Sequence, residues 1–473
     1  MDYETIIGLE VHLQLATESK AFCGCSTKFG AGVNTQTCPV CLGFPGSLPV
    51  LNKKVLEFGI KVGLGLNCQI QNFVKFDRKN YFYPDLPKNY QISQYDLPLA
   101  LDGFLNIQLK DYEKKVRIKR VHLEEDAGKL IHVEDTSLLD YNRAGMPLLE
   151  IVTEPDMNSP QEAFEYLKTL KAILKYLEVS DCDMEKGSLR CDANISLRKF
   201  GVKELGTKIE LKNMNSFRAV KQGLEYEVNR QAKLLDEGKK IVQETRLWDE
   251  LNSVTSLMRT KEEAQDYRYF PDPDLVPFIL EEAQIKEIKN NLPELPEGRK
   301  KRFTKDYGLS NYDAEVLVED KALADYFERC NKIYPKAKNL ANWITGVVLA
   351  QMNNRNKNIG DLKLKEKDLV ELISLVDEDK ISGLLAKNIL TDMLESGKTA
   401  SIIVQEKNLL QISDTSSLEK IIEEVIAKNQ LSVKDFKDGK NNAIMFLVGQ
   451  VMKASSGKAN PKIVQELLRK KIS

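Results

Sequence analysis

The sequence predicts an α+β protein: a domain built on a mostly antiparallel sheet (1–292), then an all-α domain (293–410), then a small all-α tail (411–473). Three observations carry this. Short alternating apolar and polar runs broken by Gly, Pro and Asn fill the first part, up to about residue 290. A proline-punctuated basic stretch, NLPELPEGRKKRF (291–303), then marks a boundary. Beyond it Leu, Ile and Val recur at helical spacing among Lys and Glu, and strand-like alternation is scarce.

Taken in order, IIGLEVHLQL (6–15) reads as a strand: Ile7, Leu9, Val11, Leu13 and Leu15 share one face, and Gly8, Glu10, His12 and Gln14 the other. The apolar face is core. The polar face is either ordinary wet surface or a site. Cys23, Cys25, Cys38 and Cys41 then form C-x-C-x12-C-x2-C, two thiol pairs separated by a loop, which is the spacing of a tetrahedral zinc knuckle at about 23–41. Gly24, Pro39 and Gly43 allow the tight turns such a knuckle needs. A fully thiolate-ligated zinc is closed to substrate, so its expected role is in folding. Cys68, Cys182, Cys191 and Cys330 lack such partners and read as core residues.

FDRKNYFYPDLPKNYQISQYD (76–96) combines Lys79, Tyr81, Tyr83 and Lys88 in a proline-punctuated loop. It offers cations for phosphates and aromatic platforms for a base, or it is a surface loop whose tyrosines pack on the core. HLEEDAGK (122–129) sets Glu124, Glu125 and Asp126 side by side, as a solvated acidic turn or as ligands. Glu150 is harder to leave as surface, because it stands between Leu149 and Ile151 and an unpaired buried carboxylate is expensive. With Glu10 and His12 these acids make an oxygen-rich set with one imidazole, suited to magnesium and its phosphate ligands.

SPQEAFEYLKTLKAILKYL (159–177) is a helix with a Ser-Pro start. GSLRCDANISLR (187–198) and GTKIELKNMNSF (206–217) repeat the asymmetry of the opening strand. Arg190, Asp192 and Asn194 oppose Cys191, Ala193 and Ile195; Lys208, Glu210 and Lys212 oppose Ile209 and Leu211. Three such strands point to one sheet whose open face is a working surface. At the C-terminal end, MFLVGQVMKASSGKANPKIVQELLRKK reads as two amphipathic helices around SSGKANP, with Asn460 as cap and Pro461 opening the second helix.

The overall charge excludes little. With 69 Lys+Arg against 70 Asp+Glu, a polyanion-binding surface must come from segregated charge. MDYETIIGLE has no basic n-region, and no window holds the roughly 18 apolar residues of a membrane span, so a cytoplasmic protein without membrane contact is expected. GKT at 397–399 has Asp392 where a phosphate loop needs its first glycine, and neither a kinase glycine loop nor a dinucleotide fingerprint is found. A bound nucleotide must therefore lie on the open sheet.

Over essentially its whole length the chain resembles the GatB family, the B subunits of the bacterial aspartyl/glutamyl-tRNA amidotransferases. IGLEVHLQL, the cysteine knuckle, RKNYFYPDLPKNYQISQYD, HLEEDAGK, LDYNRAGMPLLEIVTEPD, GSLRCDANISLR, KIELKNMNSF, RTKEEAQDYRYFPDPDL and GQVMKASSGKANP carry the resemblance. It implies a cradle-shaped catalytic domain, working in a heterotrimer with an amidase-fold glutaminase and a small third subunit. The reaction implied is ATP-dependent phosphorylation of the side-chain carboxylate of Glu on tRNA(Gln) or Asp on tRNA(Asn), then amidation with ammonia from the partner. Glu10, His12, Glu125 and Glu150 are implied as magnesium ligands, with Glu124 among the catalytic group. Arg190, Lys79 and Lys88 are implied at phosphates, with Tyr81 and Tyr83 beside them. Asp192, Asn194, Lys208, Glu210, Lys212, Asn213 and Asn215 are implied around the nucleotide and the terminal adenosine, and Lys453, Lys458 and Lys462 at the tRNA elbow. Family members differ in keeping the zinc cysteines; here all four are present. The chain lacks an amidase-like serine- and glycine-rich stretch and a convincing Cys-His pair, so no glutamine hydrolysis is expected of it alone. The rival reading is a non-catalytic, zinc-containing tRNA-binding scaffold, which leaves Glu10, His12 and Glu150 without a reason.

Overall fold

The computed structural model describes residues 3–260, 266–409, 415–437, 440, 442–455, 459 and 461–472, the side chains of 415–417 and 462 excepted. The chain divides into two compact units, Met1–Leu295 and Pro296–Ser473. The first carries the sheet and the second is helical, an α+β protein as the patterning predicts.

In the first unit the elements run β1 (Tyr3–Gln14), α1 (Lys53–Gly65), β2 (Gln69–Ile70), β3 (Phe73–Val74), β4 (Asp77–Asn80), β5 (Tyr90–Ser93), β6 (Ala100–Gln108), β7 (Glu113–Glu125), β8 (Lys129–Val133), β9 (Thr136–Asp140) and β10 (Pro147–Thr153). They continue as α2 (Pro160–Tyr176), β11 (Leu189–Lys199), β12 (Ile209–Lys212), α3 (Phe217–Asp236), β13 (Glu244–Asp249), β14 (Val254–Thr260), β15 (Phe270–Pro271), β16 (Phe278–Ile279) and α4 (Glu282–Asn290). Nine strands form one sheet in the order β14-β13-β12-β11-β1-β10-β7-β6-β2. Its pairs are antiparallel except β12 with β13.

Alternation along β1 buries Ile7, Leu9, Val11 and Leu13 completely or nearly so, in one core with Val62 of α1, Tyr166, Leu170 and Leu174 of α2, and Val220 and Leu224 of α3. Each such aliphatic side chain contributes about 1.5–3 kcal/mol by leaving water. The helices are placed by ordinary caps. The Ser159 hydroxyl accepts from the Glu162 amide at 3.2 Å with Pro160 opening α2, and Ser216 accepts from the Ala219 amide at 3.0 Å to start α3. With the helices on one face, the residues of opposite parity on β1, β10, β7, β11 and β12 are left on the other.

The second unit contains α5 (Pro296–Asp306), α6 (Asn311–Val318), α7 (Lys321–Ile333), α8 (Ala337–Asn342), a π-helical stretch (Trp343–Val348), α9 (Leu349–Arg355), α10 (Glu366–Asp377), α11 (Gly383–Ser396) and α12 (Ala400–Glu406). These surround a core that includes Phe303, Phe327, Ile344 and Leu369. Gly397, φ +71°, is the left-handed residue that closes α11, which accounts for the stray GKT without a phosphate loop. A separate core, with Leu418, Ile422, Leu447 and Leu468, joins α13 (Thr415–Lys428), α14 (Gln430–Lys437), α15 (Asn442–Ala454) and α16 (Pro461–Ile472). The expected joint near residue 410 and the Asn460 cap lie outside the described residues. No described helix is long and apolar enough to cross a membrane.

Candidate active site on the open sheet face

The register turns isolated polar residues into rows, because side chains directly opposite one another on paired strands share a face. One row crosses four strands as Arg190 (β11), His12 (β1), Glu150 (β10) and His122 (β7). The next reads Asp192, Glu10, Val152 and Arg120. Glu210 of β12 faces Asn194, which faces Gly8.

At the centre, ligating atoms of His12, Glu124 and Glu150 lie within 4.8 Å of one another. His122, 2 % exposed, bridges the two acids: its Nε2 is 2.9 Å from a Glu150 oxygen and 3.8 Å from a Glu124 oxygen. His12 Nε2 is 3.7 Å from the other Glu124 oxygen. Burial alone would lower the His122 ring, but hydrogen bonds to Glu124 and Glu150 carry it up to about 9. Burial would likewise raise Glu124 and Glu150; the His122 hydrogen bond and the neighbouring imidazoles hold both carboxyls below the usual range. Glu10 goes the other way, raised by burial and by the Glu150, Glu210 and Asp192 carboxylates, although the Asn194 amide donates to it at 3.0 Å. Two ionised carboxylates and an imidazole with converging ligand atoms can hold one divalent cation.

Glu125, one of the magnesium ligands that the resemblance implies, lies apart from this group. Alternation along β7 turns it to the other side from Glu124, where it is ion-paired with Lys88 and accepts from the Ile92 amide at 2.9 Å. Lys88 is thereby committed to a carboxylate. Glu10 stands one row away, held by Asn194, and is not among the converging donors. Arg190 is spoken for by Asp126 at 3.0 Å. Lys212 is paired with Asp192 and lies 3.0 Å from Glu210, whose other oxygen accepts from the Thr245 hydroxyl at 2.7 Å. Lys79 sits 4.8 Å from the Tyr267 ring centre, and Tyr81 meets Tyr267 edge-on at 5.8 Å. Tyr83 is exposed.

Lys208 is exposed just before β12 begins. Asn213 and Asn215 leave the sheet face altogether. The strand ends at Lys212, Asn213 takes φ +66°, and its amide donates to the Trp248 carbonyl at 3.1 Å, which ties the turn to β13. In the tail Lys453 is exposed on α15, whereas Lys458 and the Lys462 side chain lie outside the described residues.

Sequence reasoning passed over His122, Arg120 and Tyr269. The signal for the first two was present: Arg120, His122 and Glu124 alternate with Val121 and Leu123 as His12 does with its neighbours. Tyr269 stacks on Tyr95 at 4.2 Å and 10°, a pairing of two distant segments that no local pattern reveals.

The four knuckle cysteines also converge, their sulfurs within 4.8 Å of one another. The Cys38 amide donates to the Cys41 sulfur at 3.2 Å, and all eight cysteines are unbridged. Lys20, fully buried, sends its ammonium to the Gln36 carbonyl at 2.7 Å and to the Cys41 sulfur at 3.7 Å. A hydrogen bond from Cys23, with help from Lys20, brings the Cys41 thiol down to about 4. Gly145, at φ +82°, allows the close approach here, since a Cβ on it would lie 3.3 Å from that of Cys41. A cavity of about 230 Å³ beside the knuckle is lined by Phe22, Cys23, Cys41, Lys88, Tyr90 and Glu125 among others, so it belongs to the Glu125 side of β7.

Residues 5–286 match the family model described as GatB/GatE catalytic domain, and residues 325–472 the one described as GatB domain. A protein of Caldanaerobacter subterraneus, named as the B subunit of aspartyl/glutamyl-tRNA(Asn/Gln) amidotransferase, is 56% identical over 474 residues, covering 100% of both chains. Relatives of the same name from a Thermoanaerobacter species and from Thermodesulfovibrio yellowstonii are also 56% identical, over 474 and 471 residues, with 100% and 99% of each chain covered.

Proposed function

Since the chain belongs to the family of B subunits of the aspartyl/glutamyl-tRNA(Asn/Gln) amidotransferases, we propose that its open sheet face activates the side-chain carboxylate of Glu on tRNA(Gln) or Asp on tRNA(Asn). A carboxylate is a poor acyl donor, because its oxygen leaves badly. Attack of a carboxylate oxygen on the γ-phosphorus of ATP releases ADP and gives an acyl phosphate. Ammonia then attacks the acyl carbon, phosphate leaves with the electron pair of the broken C–O bond, and the nitrogen loses a proton to become the amide.

The observation that carries this reading is the convergence of His12, Glu124 and Glu150, two ionised carboxylates and one imidazole, of which His12 and Glu150 are only partly buried. Their chemistry fits a magnesium ion, which when bound would neutralise charge on the phosphoryl group. His122 holds the Glu150 carboxylate in place at 2.9 Å. Glu10, with a raised carboxyl and a hydrogen bond from Asn194, lies where it can orient a second polar group. Asp192, Glu210 and Lys212 form a fixed ionic edge to the same face. Tyr81, Tyr95, Tyr267 and Tyr269 supply aromatic surface for a base and help to exclude water from the anhydride. The cysteine set fits a structural zinc.

The ammonia comes from an amidase-fold glutaminase that assembles with this chain and a small third subunit, and Lys453 contributes to tRNA binding from the tail. The test supplies the assembled complex with ATP, Glu-tRNA(Gln) or Asp-tRNA(Asn), and ammonium as nitrogen donor. ADP and amidated tRNA formed together, and only with misacylated tRNA, support the reading. Tight tRNA binding without ADP would leave a zinc-containing scaffold.

A further inference from the structure

We propose that Arg120 is the receptor for the reacting oxyanion, the group on this face that binds the charged oxygens between which phosphoryl transfer takes place. This rests on the activation site proposed above and assigns it a residue that none of the motifs singled out.

Most cations on or near the face are already neutralised. Arg190 is paired with Asp126 at 3.0 Å, Lys212 with Asp192 and Glu210, and Arg259 reaches Glu210 at 4.0 Å. Lys88 is held by Glu125 on the other side of β7. Arg120 makes no ion pair among the described residues, and its Nε is buried without a hydrogen-bond partner. A guanidinium carries five N–H donors in a fixed planar fork, and leaving one of them buried and unpaired is costly. Arg78 and Arg117 do otherwise: Arg78 takes Asp272 and Asp274, and Arg117 binds Asp156 through both Nε and Nη2. Arg299 also buries an Nε without a partner, but its guanidinium is ion-paired with Asp325 at 2.6 Å and with Glu328, whereas that of Arg120 meets no carboxylate among the described residues.

The position of Arg120 points the same way. It precedes His122 by two residues on β7 and faces Val152, which faces Glu10. It therefore lies in the row next to the one that holds His12, Glu150 and His122, and is the cation of that row on β7. Its charge acts on both Glu150 and Tyr269, so it borders the carboxylate group without being consumed by it. A cation-binding cluster flanked by an unpaired guanidinium is the arrangement that phosphoryl transfer requires, with positive charge on both sides of the migrating group. The shared chemistry is a pair of anionic oxygens, of which there are two sources: the γ-phosphate of ATP and the side-chain carboxylate of the aminoacyl ester. Both fit a bidentate fork, and a point charge such as lysine would fit less well.

The test uses the assembled complex with ammonium as donor, varying ATP and Glu-tRNA(Gln) separately and reading ADP and amidated tRNA. Arg120→Gln is expected to lower turnover by about 10²-fold or more, the loss seen when an oxyanion donor is removed. Arg120→Lys should recover only part of it. Free guanidinium ion added to Arg120→Ala should restore activity, a response that a merely structural arginine would not give. A raised KM for ATP alone assigns the γ-phosphate; a raised KM for Glu-tRNA(Gln) alone assigns the carboxylate. Should Arg120→Gln fold poorly, seen as lost zinc or a shifted unfolding midpoint, the Arg120→Lys variant with the same two titrations decides. Native turnover and both KM values in a folded Arg120→Gln or Arg120→Lys protein would overturn the assignment. A native complex that forms no tRNA-dependent ADP would instead overturn the activation reading on which it rests.

Discussion

Replacing Glu162 by Gln removes a buried charge from beneath the sheet and gives a stability change whose size and pH dependence follow from the structure. Glu162 is 3 % exposed in the first turn of α2. Its oxygens accept from Tyr112 Oη at 2.7 Å, Lys114 Nζ at 2.7 Å and the Asn158 amide at 2.6 Å, so one carboxylate ties α2, the β6–β7 turn and the loop after β10 together. Hydrogen bonds to a charged group contribute about 1.5–3 kcal/mol each. Lys114 and Tyr112 are partly solvated, and Gln keeps one acceptor oxygen, so the net loss at pH 7 should be about 2 kcal/mol. Burial would raise the carboxyl, but the Lys114, Asn158 and Tyr112 hydrogen bonds hold it lowered. A lowered carboxyl stabilises the folded state above the unfolded value of about 4.3, and that contribution is lost as pH falls through the folded value. Urea unfolding followed by Trp248, in a Trp343→Phe background that silences the only other tryptophan, isolates the first unit. The native and Glu162→Gln proteins should differ by about 2 kcal/mol at pH 7 and converge toward pH 3. A difference that is constant with pH, or that grows on acidification, would refute the reasoning.

Other consequences can be measured with the same protein. Lys88→Met or Glu125→Leu alone leaves a buried charge unpaired and should cost about 3–5 kcal/mol, whereas the double change Lys88→Met with Glu125→Leu should recover most of it in a double-mutant cycle. Cys38→Ser should abolish bound zinc, read as metal content after gel filtration and as release to a chromogenic chelator, with loss of thermal stability. Lys453→Glu, on the exposed side of α15, should weaken tRNA binding without dissociating the complex, and reduce the slope of log affinity against log salt by about 1, as measured by filter binding across salt concentrations.

Much of the fold was legible because the informative patterns are local. The alternation in IIGLEVHLQL marks β1 and its core face, Ser159-Pro160 marks the start of α2, and the cysteine spacing marks a knuckle whose sulfurs do converge. The site was legible only in part, because its geometry depends on register between distant segments. Glu124 and Glu125 are neighbours in the sequence, and only the phase of β7 decides that Glu124 joins His12 and Glu150 while Glu125 turns to Lys88. No local pattern pairs Arg190 with Asp126, which the end of β7 brings to 3.0 Å from it. Asn213 and Asn215, implied by the resemblance alone, have the parity of Ile209 and Leu211 and so fall outside the alternating polar face; the left-handed turn at Asn213 takes the chain off the sheet there. His122 is legible from the sequence, since it alternates with Val121 and Leu123 on the same face as Arg120 and Glu124.

The most direct measurement of the central claim is ADP formation by the assembled complex carrying His12→Ala, with saturating ATP, misacylated tRNA and ammonium. If His12, Glu124 and Glu150 are the activation centre, the substitution removes both ADP and amidated tRNA while tRNA binding and zinc content stay native. ADP and product formation at the native rate would place carboxylate activation elsewhere in the complex.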